Sequence, residues 1–267
     1  MKKFALCLSI LATIFTSCST SDDEGTVQPV ECEITGSATT NRTFAFGNYT
    51  LNGIYTIESG VTVTFDAGST ITANGANGVD AILVKNGGKL IMNGTASQPI
   101  VLTESTSTPC SWGGIIMYGD APINGAGGTS TKTSEDGLNL TYGGTNATHN
   151  GGTLRYVRVE FAGKKITDGT SEMNGFSFYS VGSGTILENL VSYKGADDGF
   201  EFYGGTVSAK NLISYGNSDD SFDWQDGWQG QANTNWYAYQ VGTGNFGMEI
   251  ESKSVNNAFF PKVSNIT

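Results

Sequence analysis

Asn189–Tyr193 reads NLVSY and Asn211–Tyr215 reads NLISY, while Asp197–Phe202 reads DDGFEF and Asp219–Trp224 reads DDSFDW. Every matched pair lies 22 residues apart, so the register holds across the whole unit. A fixed period of this size marks a chain built by stacking. Within each period, short β-branched and aromatic runs are separated by Gly, Asn and Asp, and no helical spacing of apolar positions appears. The expected fold is all-β: a parallel β-helix, a single-stranded solenoid of about 22 residues per coil where uninterrupted. Stacking then sets like residues of successive coils about 4.8 Å apart. The repeated aspartates become a carboxylate patch on one face.

The same pattern runs upstream from about Leu51. Ile54–Ile57, Val61–Phe65, Ser69–Thr72, Ala81–Val84, Lys89–Met92 and Ile100–Thr103 read as short strands. Between them stand Glu58-Ser-Gly, Asp66-Ala-Gly, Asn86-Gly-Gly and Asn93-Gly, all turn chemistry. Strands this short, never joined by a helix, exclude a doubly wound α/β fold. Roughly eight coils are expected from about residue 50. Residues 119–152 interrupt them with an insertion rich in Gly, Asn, Thr and Ser. A loop of that length inside a domain is functional or unstructured. His149, the single histidine, lies in it and is expected to be solvated, which leaves little basis for Ser-His-Asp or histidine–zinc chemistry. The chain stops at Asn265-Ile-Thr, inside what reads as another coil, without the polar cap a solenoid needs, so a longer protein is expected.

The N-terminus opens with Lys2-Lys3, an apolar run from Phe4 to Phe15, then Thr16-Ser17-Cys18. By charge and length this is a secretory signal, too short to span a membrane. Residues 1–17 are read as signal peptide, 18–30 as a flexible acidic tether and 31–267 as the β-helix domain. The formal charge of −11 becomes −13 once Lys2 and Lys3 leave with the signal. A chain this acidic, with no basic cluster, is a poor binder of nucleic acid or anionic membrane. Cys32 and Cys110 remain as an even pair in an oxidising compartment. Either they form a bridge that pins an N-terminal cap, ahead of the first coil, to the barrel, or both are free buried thiols.

Three features carry a resemblance. The Cys18 context resembles a bacterial lipoprotein signal, which implies lipidation at Cys18 and a lipid anchor; plain secretion is the alternative. The acidic run after Cys18 resembles the tether of Gram-negative lipoproteins sent to the surface, implying an outer-membrane or cell-surface location. Ser111–Gly125 (SWGGIIMYGDAPING), Gly152–Gly163 (GTLRYVRVEFAG) and the DDGFEFYGGTV stretch resemble a group of bacterial surface lipoproteins. Those share the right-handed parallel β-helix of the pectate lyases. The resemblance covers about Thr56 to the C-terminus and implies fold rather than activity.

Strand alternation places Phe200, Phe202, Phe222 and Trp224 inward, which turns Glu201 and Asp223 outward as vertical neighbours. Asp197, Asp198, Asp219 and Asp220 stand in the turns just before. Carboxylates about 5 Å apart repel by roughly 3 kcal/mol at an effective dielectric of 20, so the patch requires solvation, raised pKa values or a cation. Ca²⁺ takes six to eight oxygens in loose geometry. Capping of turn amides is the alternative use of the same aspartates. Asp219-Asp220-x-x-Asp223 is also similar to the calcium motif of family 9 polysaccharide lyases. That similarity implies Asp219, Asp220 and Asp223, with Asp197 or Asp198, as Ca²⁺ ligands. The lysine those lyases use as base is not found in its expected context, where Asn245–Glu251 (NFGMEIE) stands, and Lys253 is out of frame.

Phe200, Phe222, Tyr193 and Tyr215 are expected as core ladders. Trp228, Trp236, Tyr237 and Tyr239 fall in a Gly/Gln/Asn-rich stretch, where they stack on sugar rings or pack a loop. Three functions follow: a surface lipoprotein that binds polysaccharide with Ca²⁺, an enzyme, or an adhesive or structural spacer. The enzyme would be a lyase, or a glycoside hydrolase using Glu201 and Asp223. A monomer is expected in each case.

Overall fold

The computed structural model describes residues 32–75, 78–165, 171, 173–242, 244–252, 256 and 258–267. The signal-like segment, Cys18, the tether and Lys253 lie outside them. The chain is a right-handed parallel β-helix, with eighteen strands joined in one continuous hydrogen-bonded system. Leu190–Tyr193 pairs with Leu212–Tyr215 in parallel and in register, as stacked coils require. Among the described residues the antiparallel pairing is Lys132–Thr133 with Thr141–Tyr142, inside the insertion. Among the described residues the helical content is a single 3₁₀ turn, Ala126–Gly128.

Each coil contributes to three faces. One coil runs through Thr62–Phe65 on the first face, Thr70–Ala73 on the second and Ala81–Val84 on the third. Coiling begins earlier than the sequence pattern suggests, with Cys32–Ala38 pairing to the strand Asn48–Ile57. In the later coils one strand serves the first two faces, bent at an asparagine in the left-handed region. Asn189, Asn211, Asn235 and Asn265 have φ of 57°, 56°, 60° and 57°. Asparagine tolerates that conformation, and the side-chain amides of Asn211, Asn235 and Asn265 each donate to the carboxamide of the coil below. The column locks the corner in register.

The interior is a set of apolar columns. Phe176 stacks on Phe200 at 4.9 Å and Phe200 on Phe222 at 5.7 Å, all fully buried. Rings so arranged add about 0.5–1.5 kcal/mol per pair beyond the area they bury. Tyr193 and Tyr215 do not join this core. They point outward from the second face and form a half-buried external column with Tyr239, at 5.4 and 4.6 Å. The strand Ile186–Tyr193 turns Leu190 and Ser192 inward, so Val191 and Tyr193 must face out.

The Cys32–Cys110 bridge is absent, because Cys110 is a free thiol. Cys32 opens the lowest strand, whereas Cys110 lies three rungs higher, between Ile100–Glu104 and Ile115–Tyr118. Three rungs span roughly 14 Å, beyond the ~7 Å limit between bridged Cα atoms.

Gly152 shows how closely the coils approach after the insertion. Its φ is +114°, and a Cβ there would stand 2.1 Å from the Leu90 carbonyl oxygen. Gly152→Ala should therefore cost more than the ~1–3 kcal/mol of backbone strain alone, read as a lowered denaturant midpoint with unchanged slope.

Candidate acidic site on the third face

The outward positions of the third face form two columns. One runs Ser177, Glu201, Asp223, Glu249 and the other Tyr118, Tyr179, Tyr203, Gln225. The tyrosine column stacks at 4.7 and 3.9 Å and is buried. Its cover is the insertion, which packs Ile123, Tyr142, Leu138 and Leu140 over it as a second apolar cluster. The insertion is fastened through two buried carboxylates. Tyr118 donates to Asp136, Tyr142 donates to Asp226 at 2.5 Å, and Lys132 pairs with Asp226 at 2.8 Å. His149 is part of this packing, only 4% exposed, with Nδ1 accepting from the Gly182 amide. It is not solvated, and burial first of all lowers its pKa. Asp226→Ala would leave Lys132 and Tyr142 unpaired, a loss of about 1–3 kcal/mol from the clamp. Faster proteolysis between residues 119 and 152, at little change in the global melting temperature, is the expected readout.

Where this cover ends, the acidic column opens into a cavity of about 390 Å³. Its walls carry Asp197, Asp198, Glu201, Asp219, Asp223 and Glu249, with Glu135 reaching in from the insertion. Among the described residues the lining includes no lysine, arginine or histidine. One carboxylate oxygen from each of Asp198, Glu201 and Asp223 lies within 4.8 Å of the other two, and Asp197, Asp198 and Asp219 converge equally. Glu201 is held from several sides. Asn174 donates to it at 2.6 Å, Tyr203 donates through its hydroxyl, and Gln225 bridges Glu201 and Glu135 at 3.0 Å each. One oxygen of Asp223, Oδ1, is buried with no hydrogen-bond partner among the described residues.

The electrostatics follow from this crowding. Burial first, then the charges of Glu201, Asp197 and Asp223, push Asp198 well above the usual carboxylate range. Glu201 and Asp223 are both pushed up, again first by burial, and each acts on the other across the cluster. Asp220 belongs elsewhere. Its Oδ1 caps the Phe246 amide at 2.6 Å, as Asp198 caps the Asp220 amide at 2.8 Å one coil below. Burial raises Asp220 to about 6, with Glu249 adding to the effect. The two proposed uses of the aspartates thus coexist: Asp220 is a cap, Asp198 is cap and cluster member together.

A family model described as a pectate-lyase-like β-helix domain matches residues 36–267. The chain belongs to that family. No curated protein and no solved structure matches it. For a pectate-lyase-like β-helix protein the general area of function is polysaccharide-related.

The aromatic candidates divide. Trp228 and Trp236 are each 1% exposed, with indole N–H groups donating to the Val207 and Ala209 carbonyls. They are core, not sugar platforms, because Trp236 stands above Leu212 at an inward position. Tyr237 and Tyr239 are exposed, on the outer side of the second face above Ile213 and Tyr215. The stretch is a strand, Asn233–Tyr239, not a loop. Glu135, Asn174, Tyr203, Gln225, Glu249 and Glu251 complete the site; of these, Tyr203 sits in FEFY, a repeat of Phe176–Tyr179 (FSFY), a signal that could have found it.

Proposed function

We propose that the protein is a surface-anchored lipoprotein that binds polysaccharide through Ca²⁺ held in the acidic cavity. The observation that carries this reading is the buried carboxylate cluster of Asp198, Glu201 and Asp223, with the partnerless Asp223 Oδ1 inside it. A hard cation with oxygen ligands answers that donor set. Asp197, Asp198, Glu201, Asp219 and Asp223 would hold it, and when bound it would link protein carboxylates to those of an acidic sugar chain. Tyr237 and Tyr239, next to the acidic corner, offer apolar surface to the same chain. Lipidation at Cys18 would keep this face at the outer membrane.

Binding is favoured over hydrolysis by the geometry of the pair. Glycosidase carboxyl groups stand about 5–9.5 Å apart with sugar or water between them. A carboxylate oxygen of Glu201 instead lies within 4.8 Å of one of Asp223, under that range. The test is retention of uronic-acid polymers by the lipid-free protein, with Ca²⁺ and with EDTA. Retention in Ca²⁺ without new unsaturated or reducing ends supports binding; release of such ends would make the protein an enzyme. No retention in either condition would leave the spacer reading. Separately, Cys18→Ser should move the protein from the membrane fraction to the soluble one, and a fully membrane-bound variant would refute the anchor.

A further inference from the structure

The corner that leads from the third face to the next coil carries a second concavity, of about 450 Å³, unlike the acidic one in every chemical respect. It is lined by Ser183, Thr206, Ser208, Gln229, Gln231 and Phe260, with Ala147 of the insertion at its lower end. None of these side chains is ionisable.

We propose that this groove is a binding site for an uncharged sugar chain, separate from the acidic cavity and independent of Ca²⁺. Two properties of the lining point to that ligand class. One is a preorganised set of neutral hydrogen-bonding groups. Thr206 Oγ1 accepts from the Ser183 amide at 3.0 Å and donates to the Ala147 carbonyl, which fixes both hydroxyl-bearing turns to the insertion. Ser208 Oγ accepts from the Ala232 amide at 3.0 Å and keeps its own proton to donate. Gln231 spends its amide hydrogens on the Gln229 and Phe260 carbonyls, at 3.0 and 2.7 Å, leaving Oε1 as an acceptor. The Gln229 carboxamide has no partner among the described residues. The other property is an apolar plane. Phe260 is 52% exposed at the rim, where a phenyl ring can meet the C–H face of a pyranose. With the Ser183 and Thr206 hydroxyls both donating to the Ala147 carbonyl, the Ser208 hydroxyl, the Gln229 and Gln231 carboxamides and one aromatic surface remain to match a neutral sugar. A charged ligand would find no counter-charge.

The groove and the acidic cavity occupy different corners of the coils, so their ligands can be separated experimentally. Cellohexaose, mannohexaose and maltohexaose would be titrated calorimetrically, in EDTA and in Ca²⁺, against the parent, Phe260→Ala, Gln229→Ala with Gln231→Ala, and Asp198→Asn with Asp223→Asn. At least one neutral hexasaccharide should bind equally in EDTA and Ca²⁺. Its affinity should fall tenfold or more in the first two variants and be unchanged in the third. Phe260 is a surface residue, and equal melting temperatures of parent and variant would establish that the loss is local. If no neutral hexasaccharide binds, or if binding follows the carboxylate variant rather than Phe260→Ala, the proposal fails. Failure of uronate retention with the neutral binding intact would instead strike only the acidic-site reading.

Discussion

Trp236→Ala should lower stability by about 3–5 kcal/mol. For a domain of this size that is roughly 6–20 °C in melting temperature. The indole is 1% exposed, packs on Phe222 at 4.7 Å, and holds the Ala209 carbonyl through its N–H. Alanine would leave a cavity under the upper coils and orphan that carbonyl. Tyr237→Ala, at 41% exposure and without a stacked partner, should change stability by less than about 0.5 kcal/mol, while Tyr239→Ala should also lose the Tyr215 stack, about 0.5–1.5 kcal/mol. Beyond that, their expected effect is on polysaccharide retention. Thermal melts and the retention assay on all three variants separate the roles. A Trp236→Ala protein as stable as its parent would overturn the packing described above.

The second large effect is a stability that falls as pH rises when Ca²⁺ is absent. Glu201 moves from an ordinary 4.5 up to about 7 and Asp220 from 3.8 up to about 6, while Asp198 and Asp223 are raised as well. Groups whose folded pKa is raised bind more protons in the folded state than in the unfolded one. Stability is then greatest near pH 4 and is lost as pH climbs through the folded values. Glu201 alone accounts for about 3 kcal/mol between pH 4.5 and 7. In EDTA the melting temperature should fall by several degrees between pH 5 and 8. In saturating Ca²⁺ the slope should flatten, because the cation takes the place of the proton. At a hundredfold excess over Kd it should add about 2.7 kcal/mol. Asp198→Asn with Asp223→Asn should remove the Ca²⁺ response and leave the part of the pH slope that burial of Glu201 and Asp220 sets. A melting temperature that rises with pH in EDTA, or ignores Ca²⁺ in the parent, would sink the cation reading.

The repeat made the solenoid legible, and strand alternation correctly set Glu201 and Asp223 as rung partners facing out of the core. The same alternation, carried one coil further, reads Asn235–Tyr239 (NWYAY) as a third copy of NLVSY. That copy turns Trp236 inward with Leu190 and Leu212, and Tyr237 and Tyr239 outward. The Gly, Gln and Asn around it obscured the match, since they resemble a loop in composition. Asp220 and Asp223 were indistinguishable by type, yet one caps the next coil and the other faces the cavity. The difference lies in the corner geometry, which a one-dimensional spacing does not encode. Glu135 was beyond reach for another reason. It enters from an insertion whose path over the tyrosine column depends on Asp136 and Asp226, residues 90 positions apart that no periodicity relates.

The carboxylates of Asp198 and Asp220 each reach up one coil to hold an amide of the next. A solenoid has only neighbour-to-neighbour contacts along its axis. Pulled from its C-terminal end, it would unwind coil by coil, and these two side chains are staples across consecutive boundaries. A cation shared by Asp198 and Asp223 would tighten the lower boundary further. The acidic column is thus also a mechanical element: under tension, each stapled boundary would resist separation in turn, and a cation held as proposed would raise the force needed at the lower one.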